Sequence, residues 1–362
     1  MKILTVVGAR PQFVKAALLS RELRARRVDE TVVHTGQHYD FNMSEVFFSE
    51  LRMAPPKHNL GVGSSSHATQ TAQIMSKLEP IMLFEQAELV VVYGDTNSTL
   101  AGALVASKLN VPVAHVEAGL RSFDRTMPEE INRVVADRLS TLLFAPTRGA
   151  ANQLRREGIE EGVAVVGDLM VDLALDMAKT IDTSPHVLER FGVRRRGYAV
   201  ATIHRAANTD DVAVFARLVA GLRRSDVRII FPVHPRTQPL VDLLRVGDSD
   251  NITICEPLSY LDMLALQMYA RVVITDSGGM QKEAVTLGTP CVTLRDRTEW
   301  NETLEDGWNV LTGSDPEAIA SAAAREPPAQ RIAPFGVGDS AAKIVDVLTG
   351  ATVTEREQSC VS

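Results

Sequence analysis

The chain has 362 residues, 45% of them hydrophobic and 23% charged, which suits a soluble globular protein of two domains better than one. Its formal net charge of −7 argues against a nucleic-acid partner, and the cluster Arg194-Arg195-Arg196 reads as solvated loop charge. The cysteines, Cys255, Cys291 and Cys360, are odd in number and far apart, so they imply neither a zinc site nor a disulfide framework and fit a reducing, cytoplasmic setting.

The N-terminal apolar run is too short for a signal peptide, and no stretch approaches the ~20 apolar residues of a membrane span. Lys2 to Val7 reads as a buried strand. Gly8-Ala9-Arg10-Pro11 is a turn, and Pro11 suits the start of a helix that carries Lys15. A strand from Glu30 to Thr35 follows, then a loop from Gly36 to Asp40 and a helix near Asn42 to Leu51. Residues 57–66 are a Gly/Ser-rich loop, long enough to suggest mobility. The helix from about Ala68 to Phe84 contains Pro80, where a kink or break is expected.

Residues 88–133 organise what comes next. The apolar run Leu89 to Tyr93 ends at Gly94-Asp95-Thr96. A small-residue helix follows, and a strand from Pro112 to Val116 then ends at Glu117. Pro128-Glu129-Glu130 opens another helix. A strand (Leu142 to Ala145), a helix ending at Gly158 and a strand (Val163 to Val166) complete a β-helix-β alternation, the signature of a parallel sheet with helices on both faces. Residues 181–197 break the rhythm with Pro185, Gly192 and Gly197, and the linker belongs close before or within them. A second alternating series has strands near Tyr198–Thr202, Ile229–Pro232, Ile252–Cys255, Val272–Thr275 and Pro290–Leu294. Pro334 to Leu348 reads as an amphipathic helix, and the polar tail after Thr349 as disorder. The expected architecture is α/β, two doubly wound Rossmann-like domains facing each other across a cleft. Residues 1–180 form the first, 181–333 the second, and 334–350 a C-terminal helix.

Ligands of open parallel sheets bind outside the carboxyl ends of the strands. Asp95, Glu117 and Glu129 stand at the tips of adjacent α/β elements, and three acids at one rim suggest proton transfer. Gly8-Ala9-Arg10-Pro11 lacks the later glycines of a dinucleotide fingerprint, which argues against NAD. Arg10 and Lys15 instead put two cations beside a helix N-terminus, an anion site if they are more than surface charges. Thr275-Asp276-Ser277-Gly278-Gly279 joins a strand to a helix. Ser277 can cap, Gly278 and Gly279 let a phosphate approach backbone N–H groups, and Glu283 is within reach of an attached ribose. The alternative is a plain Ser-capped turn.

His204-Arg205 and His234-Pro235-Arg236 follow consecutive strands. Each His is either a hydrogen-bonded structural residue or a phosphate contact or acid. His34 and His38 do not share a helix face, so metal ligation is not expected there. Arg295-Asp296-Arg297-Thr298-Glu299-Trp300 either orients a substrate or forms a salt-bridged loop. No metal site and no redox-cofactor site is read anywhere, and no cofactor is expected. A carboxylate rim in one domain and a phosphate-and-ribose cradle in the other suit a nucleotide-activated sugar.

At this point the motifs resemble a known family, the non-hydrolysing UDP-N-acetylglucosamine 2-epimerases, over nearly the whole chain. The resemblance rests on Gly8-Ala9-Arg10-Pro11 through Lys15, Gly94-Asp95-Thr96, His115-Val116-Glu117-Ala118-Gly119-Leu120-Arg121, Pro128-Glu129-Glu130 with Asn132-Arg133, His204-Arg205 and Thr275-Asp276-Ser277-Gly278-Gly279, in the family's order and spacing. It implies the glycosyltransferase-B architecture, a C-terminal helix crossing back to the first domain, and a homodimer. It implies that UDP is eliminated across C1–C2 to give a glycal and then re-added, because C2–H of a neutral sugar is too weakly acidic for simple abstraction. Asp95, Glu117 and Glu129 would transfer the protons, with His204, Arg10 and Lys15 stabilising the diphosphate. Arg133, Arg205 and His234 join the substrate-binding set. Ser277, Gly278, Gly279 and Glu283 would hold phosphate and ribose, and Leu258 and Met263 line the uracil.

Three departures bear on the sugar. His204-Arg205 is followed by Ala206-Ala207-Asn208 instead of the family's frequent Arg-Glu, Trp300 stands where an Arg is common, and the loop between Glu117 and Pro128 is shorter. With His34-Thr35-Gly36-Gln37-His38, these look more like the branch acting on UDP-2,3-diacetamido-2,3-dideoxyglucuronate. Gln37 and His38 also match part of an allosteric UDP-GlcNAc site of some members. The expected activity interconverts UDP-GlcNAc and UDP-ManNAc, with the diacetamido-glucuronate reaction as the alternative. Behind these stand a hydrolysing epimerase, a glycosyltransferase of the same fold and a UDP-sugar sensor.

Overall fold

The computed structural model describes residues 1–37, 53–181, 186–248 and 251–350. The helix expected near Asn42 to Leu51, His38, Cys360, part of the 181–197 stretch and the tail after Gly350 lie outside these residues. Two compact units emerge, Met1–Leu173 with the chain from Gly336, and Ala174–Phe335. The first crossing falls inside the helix Leu169–Ala178, ahead of the 180/181 boundary expected from composition. A continuous helix carries no turn residues there, so nothing in the sequence marks the division.

In the first unit the strands are β1 (Lys2–Val7), β2 (Asp29–His34), β3 (His58–Asn59), β4 (Leu89–Tyr93), β5 (Val113–Val116), β6 (Leu142–Ala145) and β7 (Val163–Val165). They form one sheet in the order β3-β2-β1-β4-β5-β6-β7, with every pairing parallel. The second unit has β8 (Tyr198–Thr202), β9 (Arg228–Pro232), β10 (Ile252–Cys255), β11 (Val272–Thr275), β12 (Cys291–Thr293) and β13 (Asn309–Leu311), in the order β10-β9-β8-β11-β12-β13, again all parallel. Parallel strands are covered on both faces, so central strands such as LVVVY in β4 and VVIT in β11 are buried throughout.

Alternation along each strand feeds two separate cores. Ile3, Val7, Leu89, Val91 and Tyr93 pack on one face with the helix Arg10–Ala25. Leu4, Val6, Val90 and Val92 pack on the other with the helices His67–Glu85 and Asn97–Lys108. The C-terminal helix Ser340–Leu348 adds Ile344, Val345 and Leu348 to the first core. Its start is held by Asp172, which accepts from Ser340 Oγ at 2.7 Å and the Ala341 N–H at 3.1 Å.

Of the kink or break expected at Pro80, the break does not occur: the helix runs unbroken from His67 to Glu85. Pro80 and Ser76, whose carbonyl loses its intrahelical donor, are both exposed, so water can take the donor's place. Two strands, β3 and β13, were not anticipated; at two and three residues they are too short for a periodic signal. Among the described residues no helix is long and apolar enough to cross a membrane.

Each strand order reverses once, between β1 and β4 and between β8 and β11. These are the switch points where loops diverge and leave a crevice at the strand ends. The loops at Gly8–Arg10 and Gly94–Asp95 leave the first pair. Those at His204 and Asp276–Gly278 leave the second.

Candidate active site

In the first unit the turns after β1 and β4 are stapled by one side chain. Gln12 Oε1 accepts from the N–H groups of Gly8 (2.8 Å) and Ala9 (3.2 Å), while its Nε2 donates to the Tyr93 carbonyl (2.6 Å), Thr96 Oγ1 (3.0 Å) and Thr99 Oγ1 (3.1 Å). A Cβ on Gly8 would lie 2.0 Å from Ser98 Oγ and 2.5 Å from Thr35 Oγ1, so only glycine fits this approach. Gln37 is buried, and its side-chain oxygen already accepts from the Ser98 N–H (2.9 Å) and Ser98 Oγ (2.6 Å).

Glu117 follows β5 directly with φ of +73°, a left-handed conformation rare outside glycine and typical of functional sites that hold strain. Its carboxylate is ion-paired with the Lys15 ammonium. Asp95 follows Gly94 and is ion-paired with Arg133. Burial pushes Asp95 above the usual carboxylate range, helped by the nearby Glu117 charge and outweighing Arg133 and Lys15. Lys15 is raised in turn: burial works against its charge, but Glu117, Asp168 and Asp95 outweigh it. One ammonium therefore stands among three carboxylates. Asp168, buried at the start of the helix Leu169–Ala178, was not picked out from the sequence.

Glu129 is partly exposed on the first turn of the helix Pro128–Leu139 and lies one turn before Arg133, on the same face. Glu130 beside it is buried and accepts from the N–H groups of Ser122 (2.8 Å) and Phe123 (3.0 Å), so its role is to hold that loop. Asn132 donates to the Asp95 carbonyl at 2.9 Å. Arg10 opens the helix Arg10–Ala25 and is exposed.

In the second unit the organiser is Asp276, fully buried at the end of β11. It accepts from the N–H groups of His204 (3.0 Å) and Arg205 (2.9 Å) and from Asn208 Nδ2 (3.0 Å), which ties the β8 loop to the β11 loop across the switch point. His204 Nδ1 lies 3.2 Å from Asp276 Oδ1. Burial lowers the His204 pKa, and His234, Arg205 and Arg236 add to that against Asp276, so the ring is neutral near pH 7. With Nδ1–H facing Asp276, its Nε2 is left as an acceptor. The His234 ring lies 5.5 Å away, and its Nδ1 accepts from the Arg236 N–H at 3.1 Å.

Ser277 caps the helix Gly278–Leu287, accepting from the Met280 N–H at 3.5 Å. A Cβ on Gly278 would come within 2.8 Å of Glu299 Oε1 and 2.9 Å of Trp300 Nε1, so glycine lets that loop close against the helix start. Glu299 is shared by Arg205 (3.1 Å) and Arg295 (2.8 Å), so the 295–300 stretch carries salt bridges. Glu283 is buried and accepts from Tyr260 Oη (3.1 Å) and Gln267 Nε2 (2.8 Å). Leu258 and Met263 pack, half-buried, against the cluster containing Leu266 and Tyr269. Among the described residues no group of three or more His, Cys, Asp or Glu is arranged to hold a metal ion.

Tyr260, Gln267, Asn208 and Gln12 escaped the sequence reading because each acts through a partner distant in sequence. Asp276 belongs to the Thr275–Gly279 motif, and its position directly after a strand is its signal.

Comparison with known proteins gives this geometry a context. The family model for UDP-N-acetylglucosamine 2-epimerase matches residues 21–349. A Methanococcus maripaludis UDP-N-acetylglucosamine 2-epimerase homolog is 49% identical over 96% of this chain and 99% of its own. The Pseudomonas aeruginosa UDP-2,3-diacetamido-2,3-dideoxy-D-glucuronate 2-epimerase is 45% identical over 89% of this chain and 91% of its own. Among solved structures, Methanocaldococcus jannaschii UDP-GlcNAc 2-epimerase in complex with UDP-GlcNAc and UDP superposes with a TM-score of 0.82 at 43% identity, covering 97% of this chain and 100% of that one. Its relatives are epimerases, a class of isomerase, and its two parallel α/β units make the glycosyltransferase-B-like fold of those enzymes. The chain belongs to the UDP-N-acetylglucosamine 2-epimerase family.

Proposed function

We propose that this enzyme interconverts UDP-GlcNAc and UDP-ManNAc without hydrolysis. The observation that carries the reading is the pair of ion-paired acids at neighbouring strand ends, Asp95 with Arg133 and Glu117 with Lys15. A carboxylate takes the hydrogen from C2 as the C1–O bond to UDP breaks, leaving a C1=C2 glycal and the UDP anion. UDP then adds back at C1 while a carboxylic acid delivers a proton to the other face of C2. Asp95, whose pKa burial raises, is the better suited to deliver a proton, and Glu117, strained and ion-paired with Lys15, is the other acid at the rim. Glu129, one turn from Arg133, is the third proton-transfer candidate.

Departure of UDP needs stabilisation of a diphosphate. Arg10, Lys15, Arg205, His234 and the neutral ring of His204 supply it, with backbone N–H groups at Ser277, Gly278 and Gly279. Glu283, held by Tyr260 and Gln267, is positioned to accept ribose hydroxyls, and Leu258 and Met263 give the uracil an apolar wall. The free thiols Cys255 and Cys291 are consistent with the cytoplasm. Met127, just before the helix Pro128–Leu139, and Ile131 and Val134 on it are 38%, 50% and 41% exposed and support a homodimer; a light-scattering mass of one chain would refute it.

The P. aeruginosa relative and Trp300 favour a second substrate, the diacetamido-glucuronate analogue, on the same chemistry. Incubation with UDP-GlcNAc in deuterated water, read by proton NMR, tests the proposal. Deuterium at C2 with UDP-ManNAc forming is expected. Free N-acetylmannosamine with UDP would mean hydrolysis, and exchange of the diacetamido-glucuronate sugar alone would move the assignment to the second substrate.

A further inference from the structure

His115 lies on β5, two residues ahead of Glu117, and is completely buried. Its ring nitrogens face two acceptors: Nδ1 is 2.6 Å from Asp137 Oδ1, and Nε2 is 2.7 Å from the Gly94 carbonyl oxygen. A peptide carbonyl only accepts, so Nε2 carries a hydrogen. Asp137 is kept ionised by its other donors, since Oδ2 accepts from the Gly119 N–H at 3.1 Å and Arg121 Nη1 at 2.6 Å. Nδ1 must therefore donate as well, and a ring donating from both nitrogens is an imidazolium.

The surrounding charges agree. Burial opposes a charge on His115, but the Asp137 carboxylate, the two hydrogen bonds and the more distant Glu117 outweigh it and raise the ring above its ordinary range. Burial likewise works against the Asp137 charge, and His115 with Arg121 overcomes it, holding that carboxyl low. Arg121 continues outward to Glu157 through a two-pronged contact, Nε–Oε1 at 2.8 Å and Nη2–Oε2 at 2.7 Å. The line His115, Asp137, Arg121, Glu157 holds two cations and two anions, so the charges along it balance.

This imidazolium grips the backbone that carries both acids. The Gly94 N–H donates to the Val116 carbonyl at 2.9 Å, and the Gly94 carbonyl takes His115, so β5 holds the residue before Asp95 at both ends. Asp137 in turn holds the Gly119 N–H, two residues after Glu117. The geometry points to His115 as a permanently protonated positioning residue that fixes Asp95 relative to Glu117 and lays a fixed positive charge beneath them. It rests on the assignment of those two acids to proton transfer.

Two measurements test it. In the full-length enzyme labelled with carbon-13 and nitrogen-15 histidine, with the His115 ring signals assigned in the wild-type protein by through-bond correlation from its backbone, both ring nitrogens stay in the imidazolium pattern from pH 6 to 9. A neutral tautomer at pH 8 overturns the proposal, even where the variant does not fold. In His115→Gln, a donor to Gly94 survives but the charge does not. Turnover of UDP-GlcNAc falls about 100-fold with KM within about threefold, as displaced catalytic groups do. The acid limb of the kcat profile moves to higher pH, because the carboxylates lose a cation. A lower kcat with an unmoved acid limb means a merely structural role and overturns it. Wild-type turnover in Asp95→Asn and Glu117→Gln instead removes the underlying assignment, whatever the state of His115.

Discussion

The two units share a strand order and place polar loops at the same topological switch, yet they arrange charge in opposite ways. In the first, the acids at the rim are paired with cations: Glu117 with Lys15, Asp95 with Arg133, and Asp137 beneath them with His115 and Arg121. The backbone there is strained at Glu117, and Asp95 is driven toward its neutral form. In the second, the acids after β11, Asp276 and Glu283, collect N–H and O–H donors, and a neutral imidazole and the Arg205–Glu299 pair stand beside them. One sheet topology thus supports two uses. A rim that tunes protonation suits bond-making at carbon, and a rim that presents fixed donors suits holding a phosphate and a ribose. Fold alone would not separate them; the partners of each carboxylate do.

This division of labour can be broken by variants on either side. The largest effect is expected for Asp95→Asn, which should lower kcat by about 10²–10⁴ while UDP affinity stays within about threefold. Loss of UDP binding in that variant would merge the two roles. Glu283→Gln should do the reverse. The hydrogen bonds proposed from Glu283 to ribose would weaken, so the Kd for UDP should rise about 10- to 100-fold by calorimetry, with kcat at saturating substrate changing little. A collapsed kcat with unchanged UDP affinity would contradict the binding role proposed for the second unit.

The smallest effect concerns stability. Asp95 has a folded-state pKa above its unfolded value, so the stability it allows is full below the unfolded value and is lost as pH rises through the folded one. Asp95→Asn should therefore raise Tm at pH 7.5, and the gain should vanish below about pH 4, near the unfolded aspartate value. A variant that melts lower than wild type at pH 7.5 would mean that the Arg133 pair outweighs burial.

Much of the fold was legible because parallel strands announce themselves as short apolar runs: LVVVY, VVIT and YAVAT were each read as strands, and the acids and glycines after them as rim residues. Strands of two or three residues were not, since β3 and β13 have no run to read. Pro80 does not break its helix, because its exposed position lets water do what the missing donor cannot. At the site, single residues at strand ends were visible, whereas Gln12, Asp137, Asn208 and Tyr260 were not. Each sits on a helix or in a helical turn with ordinary composition and matters only through a partner that folding brings near.

The central claim is that the first unit moves the proton at C2. It is tested most directly in Glu117→Gln by two readings on one sample: C2 deuterium incorporation into UDP-GlcNAc in deuterated water, and the Kd for UDP. The account predicts exchange slowed by about 10²–10⁴ with UDP bound as in wild type. Exchange at the wild-type rate with UDP bound normally would contradict it.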